Sequence, residues 1–457
     1  MEEMSLSGTR ALVMGLGFHG GGIETVRYLV HMGAEVRCTD LNPERAIRSS
    51  MEALSNLNVQ YVLGEHRLED FDWADIIVKN PAVPLSSPWL AGRDNVETDL
   101  SLFLRRCESP VFALTGSKGK STAASALLHF LKLRHPGARL GGNITVSPLA
   151  FAHLLRPGDP VILELSSWQL ADLRGRGFLR PKIAGITNLM RDHQNRYETF
   201  ADYEADKIAV FELQGGDDFS VFPDDGYGRK WSKASRAESF LINRREPRER
   251  VFKGSFIGGG QVGYFSDGME REPLLARKLR VPGEAFRLNL LFAGTMARLW
   301  GLDSREILRA SADFAGIPYR MEFFLDRDGI RYYDDTASTI PDATAAAVLA
   351  MDRPVILIAG GADKELDFSP FDKFAKRAKR IIMLAGSATD IWLPRLRAMG
   401  LEIEDAKHSM AAAVAAAQRG AESGDAIILS PGAASFGMFR HEFERGDVFK
   451  AAVLRES

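Results

Sequence analysis

At 457 residues the chain is too long for one ordinary hydrophobic core, and two to four domains are expected, with three fitting comfortably. Lys plus Arg (58) almost balances Asp plus Glu (60), which argues against a nucleic-acid partner and against an acidic tail. Cys38 and Cys107, the two cysteines, make neither a disulfide framework nor a zinc cluster, as in a reducing cytoplasm; Met1 to Arg10 is polar, and no run approaches the ~20 apolar residues of a spanning helix, so a soluble cytoplasmic protein without a membrane partner is expected.

From Arg10 the chain reads as strand, glycine loop (Gly15, Gly17, Gly20), a helical pattern through Ile23, Val26, Leu29 and Val30, and a second strand ending at Asp40. This βαβ pattern with G-x-G-x-x-G fits a dinucleotide or nucleotide-diphosphate ligand, with Asp40 accepting from a ribose hydroxyl; the plainer alternative is a solvated strand-end carboxylate. A nicotinamide dehydrogenase is one reading of this unit. Asp75 to Lys79 is a strand that delivers Asn80 to a proline-stiffened loop, at the sheet edge where ligands bind.

After a linker near Leu104 to Pro110 comes Val111-Phe-Ala-Leu-Thr-Gly116-Ser-Lys-Gly119-Lys120-Ser-Thr122, a buried strand entering a glycine-punctuated loop and then a helical pattern from Ala123 to Leu133. Gly116 and Gly119 let backbone N–H groups approach phosphate oxygens, Lys120 supplies a cation, and the Ser121 or Thr122 hydroxyl reaches a magnesium ion at a helix N-terminus. Only two residues separate the glycines, not the four of the common P-loop, so a packing turn is the alternative. Gly141-Gly-Asn143 is a tight turn, and Glu164 ends the apolar run Val161-Ile-Leu. A carboxylate there is costly unless paired, so it is either a magnesium ligand or half of a buried ion pair. Ile183 to Asn188 is another strand, leading to Asp192 and His193, which would bind metal or substrate phosphate or simply be hydrogen-bonded. Lys207, in a helix opening at Phe200, reads on its own as a surface lysine. Residues 219–280 carry short strand patterns of a scaffolding kind. A helix from Gly283 to Trp300 follows, then a junction at Phe314 to Glu322, and apolar strands at Tyr332, Val355 to Ala359, Ile381 to Ala385 and Ala426 to Ser430 alternating with helices, which is a second Rossmann-like pattern. Its loops at Gly360 to Lys364 and Ser430 to Phe436 lie at carboxyl ends of strands.

Taken together these motifs resemble the Mur ligases of peptidoglycan synthesis. The resemblance covers the whole chain and rests on Thr115 to Thr122, Gly141-Gly-Asn143-Ile, Glu164 to Gln169, Asn188 through Asp192-His193, Arg196-Tyr197, Tyr203 with Lys207, Tyr319-Arg320, Asp335 through Thr339, Gly360-Gly with Lys364, and Leu429-Ser-Pro through Ser435. It is strongest to the members that add D-glutamate. The implied fold is α/β in three domains: a UDP-substrate-binding Rossmann-like unit (1–107), a central P-loop-type ATPase with a mostly parallel sheet (108–314) and a Rossmann-like amino-acid-binding unit (315–457).

The implied reaction joins D-glutamate to UDP-N-acetylmuramoyl-L-alanine through an acyl-phosphate, using ATP and Mg2+, in a cytoplasmic monomer. The resemblance implies an ATP set of Gly116, Ser117, Lys118, Gly119, Lys120, Ser121, Thr122, Asn289, Arg320 and Asp335, and a metal set of Ser121, Glu164, His193 and a carbamylated Lys207. It assigns Lys120, His193, Lys207 and Arg320 to catalysis; Phe18, His19, Asp40, Asn80, Asn143 and His193 to the UDP-substrate; and Thr339, Lys364, Ser435 and Phe443 to D-glutamate. Two carboxylates suit an ammonium and hydroxyls. The chain departs from the family in Ala285 and Phe286, where His and Asn are common, in Ala337 for a common lysine, in Tyr319 for a common histidine, and in Lys118 for a common asparagine. Other Mur-type ligases, folylpolyglutamate synthase and a nucleotide-sensing relative remain as alternatives.

Overall fold

A computed structural model describes residues 5–17, 20–144, 146–191 and 197–455. The chain divides into two compact units, Met1–Arg277 with Asn289–Ala310, and Lys278–Leu288 with Ser311–Ser457.

The first unit holds two sheets. One contains β1 (Arg10–Met14), β2 (Glu35–Asp40), β3 (Val59–Leu63), β4 (Ile76–Lys79) and β5 (Val96–Glu97), all parallel in the order β3-β2-β1-β4-β5. The order reverses between β1 and β4, and a crevice opens there beyond the carboxyl ends of the strands. The other contains β6 (Val111–Thr115), β7 (Arg139–Gly142), β8 (Val161–Glu164), β9 (Ile183–Ile186), β10 (Phe219–Pro223), β11 (Glu238–Asn243), β12 (Phe252–Ile257), β13 (Gly263–Gly268) and β14 (Arg271–Leu275). Its order is β14-β13-β12-β11-β10-β9-β6-β8-β7, parallel except where β13 pairs with β12 and β14. Every residue of β6 is buried, as expected for a strand covered on both faces in a parallel sheet. The loops after β6, β8 and β9 therefore share one edge.

In the second unit β15 (Glu322–Arg327), β16 (Ile330–Asp334), β17 (Val355–Gly360), β18 (Arg380–Leu384) and β19 (Ala426–Leu429) run in the order β15-β16-β19-β17-β18, parallel except for the β15–β16 hairpin. That hairpin turns at Asp328-Gly329, both with positive φ, the geometry of a two-residue type I′ turn. Side chains on the two faces of this sheet enter two separate apolar clusters, one with Tyr333, Leu357 and Trp392, the other with Tyr332, Ile358 and Phe449. Among the described residues no helix is long and apolar enough to cross a membrane.

Candidate active site

The helix after β6 spans Lys120–Leu131, beginning three residues before the expected Ala123. Lys120, Ser121 and Thr122 thus form its first turn, where backbone N–H groups have no intrahelical partner and favour anions. Gly119, at φ 82°, caps it, and a Cβ there would collide with the Asn289 amide; Gly116, at φ 145°, has no room for a Cβ beside the Thr187 hydroxyl. The loop closes on the strand next door. Ser117 N donates to Asn188 O (3.0 Å), Lys118 N to Asn188 Oδ1 (2.9 Å), and Thr187 Oγ1 to Lys118 O (2.7 Å). The Asn289 side chain lies against this loop at Gly119.

Two lysines converge on the same carbonyl. Lys120 Nζ donates to Gly116 O at 2.9 Å and Lys207 Nζ to Gly116 O at 3.1 Å. Lys207 is 1% exposed, which overturns its reading as a surface lysine; the helix Phe200–Ile208 turns it inward under the Tyr203 ring, whose hydroxyl meets Ser117 Oγ at 3.0 Å. Glu164 ends β8 beside Leu114 of β6 and is equally buried, with Asn143 Nδ2 donating to Oε1 at 3.4 Å. Glu164, Lys207, Lys120 and Ser121 therefore belong to one sheet edge, and buried hard oxygen from Glu164 with the Ser121 hydroxyl suits a magnesium ion. No group of three or more His, Cys, Asp or Glu forms a metal set among the described residues. His193, with Asp192 and Arg196, lies outside those residues.

At the first crevice Asp40 is buried at the end of β2, not a solvated strand end. Its Oδ2 accepts from Gly17 N (3.1 Å) and its Oδ1 from Asn42 N (2.8 Å). Asn80, just past β4, lies against Gly15, where a Cβ would come 3.0 Å from its own. The structure thus brings Asp40 and Asn80 to the glycine loop, while Phe18 and His19 lie outside the described residues. Asn143 stands apart from this loop, beside Glu164.

In the second unit the loops after β16, β19 and β17 meet at one edge. Gly432 N donates to Ser338 O (2.8 Å), and Ala362 and Ala434 form a bridge, so Thr339, Ser435 and Lys364 rise from three tied loops. Asp335 is buried, its Oδ2 accepting from Ser430 Oγ (2.7 Å) and its Oδ1 from Met321 N (3.0 Å). Burial pushes its carboxyl up to about 6, as it does for neighbouring Asp334. Arg320 is exposed, and Phe443 lies 5.0 Å from the Tyr319 ring. Arg445 is a residue the sequence pattern did not single out. Fully buried, it donates to Thr336 Oγ1 (3.0 Å), Thr336 O (3.0 Å) and Ala433 O (3.1 Å), bracing two of the three loops. A charged residue in a charged helix segment gives no pattern by which to find it.

A cavity of about 960 Å3, lined by Arg134, His135, Arg298, Trp300 and Arg305 among others, sits at the opposite end of the Lys120–Leu131 helix from the glycine loop. Volume alone does not mark the phosphate-loop edge.

The family model of the Mur ligase middle domain matches residues 114–297, and that of the Mur ligase MurD-like N-terminal domain matches residues 9–98. A UDP-N-acetylmuramoylalanine–D-glutamate ligase of Treponema pallidum is 35% identical over 98% of this chain and 98% of its own, and one of a Roseiflexus species is 36% identical over 98% and 99%. Among solved structures, a UDP-N-acetylmuramate-alanine ligase of Thermotoga maritima superposes with a TM-score of 0.57 at 17% identity, covering 98% of this chain and all of that one. MurF of Acinetobacter baumannii gives 0.59 at 15% identity, covering 97% and 93%. At those identities the two structures speak to the fold, a multi-sheet α/β architecture. With full-length relatives at 35 and 36% identity, and matches across the glycine crevice and the phosphate loop alike, the chain belongs to the Mur ligase family.

Proposed function

We propose that the protein is an ATP-dependent ligase that joins D-glutamate to UDP-N-acetylmuramoyl-L-alanine in the cytoplasm, acting as a monomer. The observation that carries this reading is the single sheet edge holding the Gly116–Gly119 loop, Lys120, Glu164 and the buried Lys207. A hydride-transfer enzyme would leave that edge without a use. The boundaries 107/108 and 314/315 then separate substrate, ATP and amino-acid domains.

The carboxylate of the lactoyl-alanine arm attacks the γ-phosphorus as the bond to ADP breaks. The amine of D-glutamate then attacks the acyl carbon, phosphate leaves, and the amine gives up a proton. Two anions meet in the first step, so positive charge aligned in advance is the main requirement. N–H groups of the first helical turn, Lys120 to Thr122, and the Lys120 ammonium hold the β- and γ-phosphates, the Ser117 and Lys118 N–H groups anchor the loop to Asn188, Asn289 braces it, and Arg320 is assigned to the transferred group. Ser121 and Glu164 would hold Mg2+, which when bound neutralises phosphate oxygens; His193 and a carbamylated Lys207 complete that set. Asp335, of the ATP set, accepts from Met321 N and Ser430 Oγ and so ties the turn at Arg320 to the loop after β19. Asp40 and Asn80, with Phe18 and His19, take the uridine diphosphate, and Asn143 the sugar arm. Lys364 pairs with one carboxylate of D-glutamate, Thr339 and Ser435 hydrogen-bond the other, and Phe443 covers it.

Phosphate release with ATP, Mg2+ and UDP-N-acetylmuramoyl-L-alanine should depend on D-glutamate and not on L-glutamate or meso-diaminopimelate. Equal release with no amino acid would refute the ligase reading. For Lys207, an intact mass raised by one CO2 at low temperature is expected, lost in Lys207→Arg; an unmodified mass in both would remove the carbamate from the account.

A further inference from the structure

Positive φ is costly for residues other than glycine, and such outliers persist only where the surroundings enforce them. Among the described residues five have it: Gln261, Tyr319, Met321, Asp328 and Glu365. Asp328 belongs to the hairpin turn described above. Three of the others stand beside the cations assigned to the reacting groups. Tyr319 (φ 64°) and Met321 (φ 47°) bracket Arg320, and Glu365 (φ 58°) follows Lys364.

The turn around Arg320 is fixed from two sides. On the backbone, Tyr319 N donates to Glu322 Oε2 (2.9 Å), Ala337 N to Tyr319 O (2.9 Å), and Met321 N to Asp335 Oδ1 (3.0 Å). From the side chain, Tyr319 Oη donates to Asp447 Oδ1 (2.9 Å), the Lys450 ammonium lies 4.3 Å from the ring centroid, and the Phe443 ring lies 5.0 Å away. Phe443, Asp447 and Lys450 are spaced i, i+4, i+7 on the helix Glu442–Arg455, which makes one face. Lys450 also reaches Glu322 Oε2 at 3.0 Å, closing the ring of contacts back onto the turn.

We propose that Tyr319 is a positioning residue whose side chain, clamped by Phe443, Asp447 and Lys450, holds the strained turn that sets the direction of Arg320. This rests on the role of Arg320 given under the proposed function. The clamp lies partly in water, so its loss disturbs the global fold little. A reacting cation displaced by ~1 Å, in contrast, costs on the order of 100-fold in rate. Tyr319 therefore registers in kcat more than in stability. Because Phe443 contacts the same ring, the clamp also joins the turn to the amino-acid side of the site.

The test is a kinetic cycle on the full-length protein with ATP, Mg2+, UDP-N-acetylmuramoyl-L-alanine and D-glutamate, comparing Tyr319→Phe, Asp447→Asn, Arg320→Ala and Tyr319→Phe/Arg320→Ala. Enzyme is in excess for the slow variants, and a thermal midpoint is recorded for each. Tyr319→Phe and Asp447→Asn should each lower kcat about 10-fold, while KM for the UDP-substrate stays within about 2-fold and the midpoint within a few degrees. Added to Arg320→Ala, Tyr319→Phe should change the rate by less than about 2-fold, because its effect passes through Arg320. The proposal is overturned if Tyr319→Phe keeps the parent rate, or if it slows both backgrounds equally. A parent protein that releases no phosphate on adding D-glutamate would instead sink the ligase reading, so the two failures are distinct.

Discussion

Lys120 and Gly119 carry the sharpest residue-level expectations. Lys120→Ala should keep the circular dichroism of the parent and lose about 100-fold or more of phosphate release, because the ammonium acts where charge develops; a rate within about 3-fold would contradict its role. Gly119→Ala forces a Cβ into a left-handed residue facing the Asn289 amide, so it should cost about 1–2 kcal/mol and weaken ATP binding, read by a thermal shift with and without ATP. Asp334 supplies a pH dependence. Burial raises its carboxyl to about 6, above the ordinary aspartate range it has when unfolded, so between those values the folded chain binds more protons than the unfolded one. Stability from this group is present at low pH and is lost as pH rises through about 6. Asp334→Asn should lessen the slope of the stability profile between about pH 4 and 6, Asp335 supplying the rest of it, and an unchanged slope would contradict the burial argument. Some of this scale was legible in the sequence and some was not. Glu164 stood out because a carboxylate ending an apolar strand demands a partner. Lys207 did not, since Lys-Ile-Ala-Val-Phe looks like an ordinary helix edge and its burial comes from packing against a loop some ninety residues earlier in the chain.

Among the elements, β4 and the helix Ser167–Leu173 are joined by a fully buried ion pair, Lys79 Nζ to Asp172 Oδ2 at 2.6 Å. Lys79 Nζ also donates to Val83 O (2.8 Å), fixing the loop that follows Asn80. Removing one charge leaves the other uncompensated, so Lys79→Ala should cost about 3 kcal/mol or more, whereas Lys79→Met/Asp172→Leu should cost much less. Urea titrations of both decide it; equal losses would mean that the cost is cavity rather than charge. Parallel strands were the easiest elements to read, because β6, β17 and β19 are unbroken apolar runs covered on both faces. The hairpin strand β15 was not separated from its junction, since its residues are half-exposed and its pairing depends on the turn at Asp328-Gly329. The antiparallel edge β12 to β14 was visible only as short patterns with glycine turns.

For the molecule as a whole, three sheets were legible from the recurrence of strand, glycine turn and helix. Which loops meet was not, because strand order is a long-range property. The reversal between β1 and β4 brings Asn80 to Gly15, and the placement of β19 between β16 and β17 brings Ser435 to Thr339 and Lys364. Both follow from sheet topology and from no local pattern. The central claim is that the protein performs a D-glutamate-dependent, ATP-driven ligation. The most direct measurement is phosphate release by the full-length protein with ATP, Mg2+ and UDP-N-acetylmuramoyl-L-alanine, before and after adding D-glutamate, with the UDP product followed by mass. The account predicts stoichiometric phosphate and a product heavier by one glutamyl residue only when D-glutamate is present. Phosphate release that ignores the amino acid, or an unchanged UDP-substrate, would contradict it.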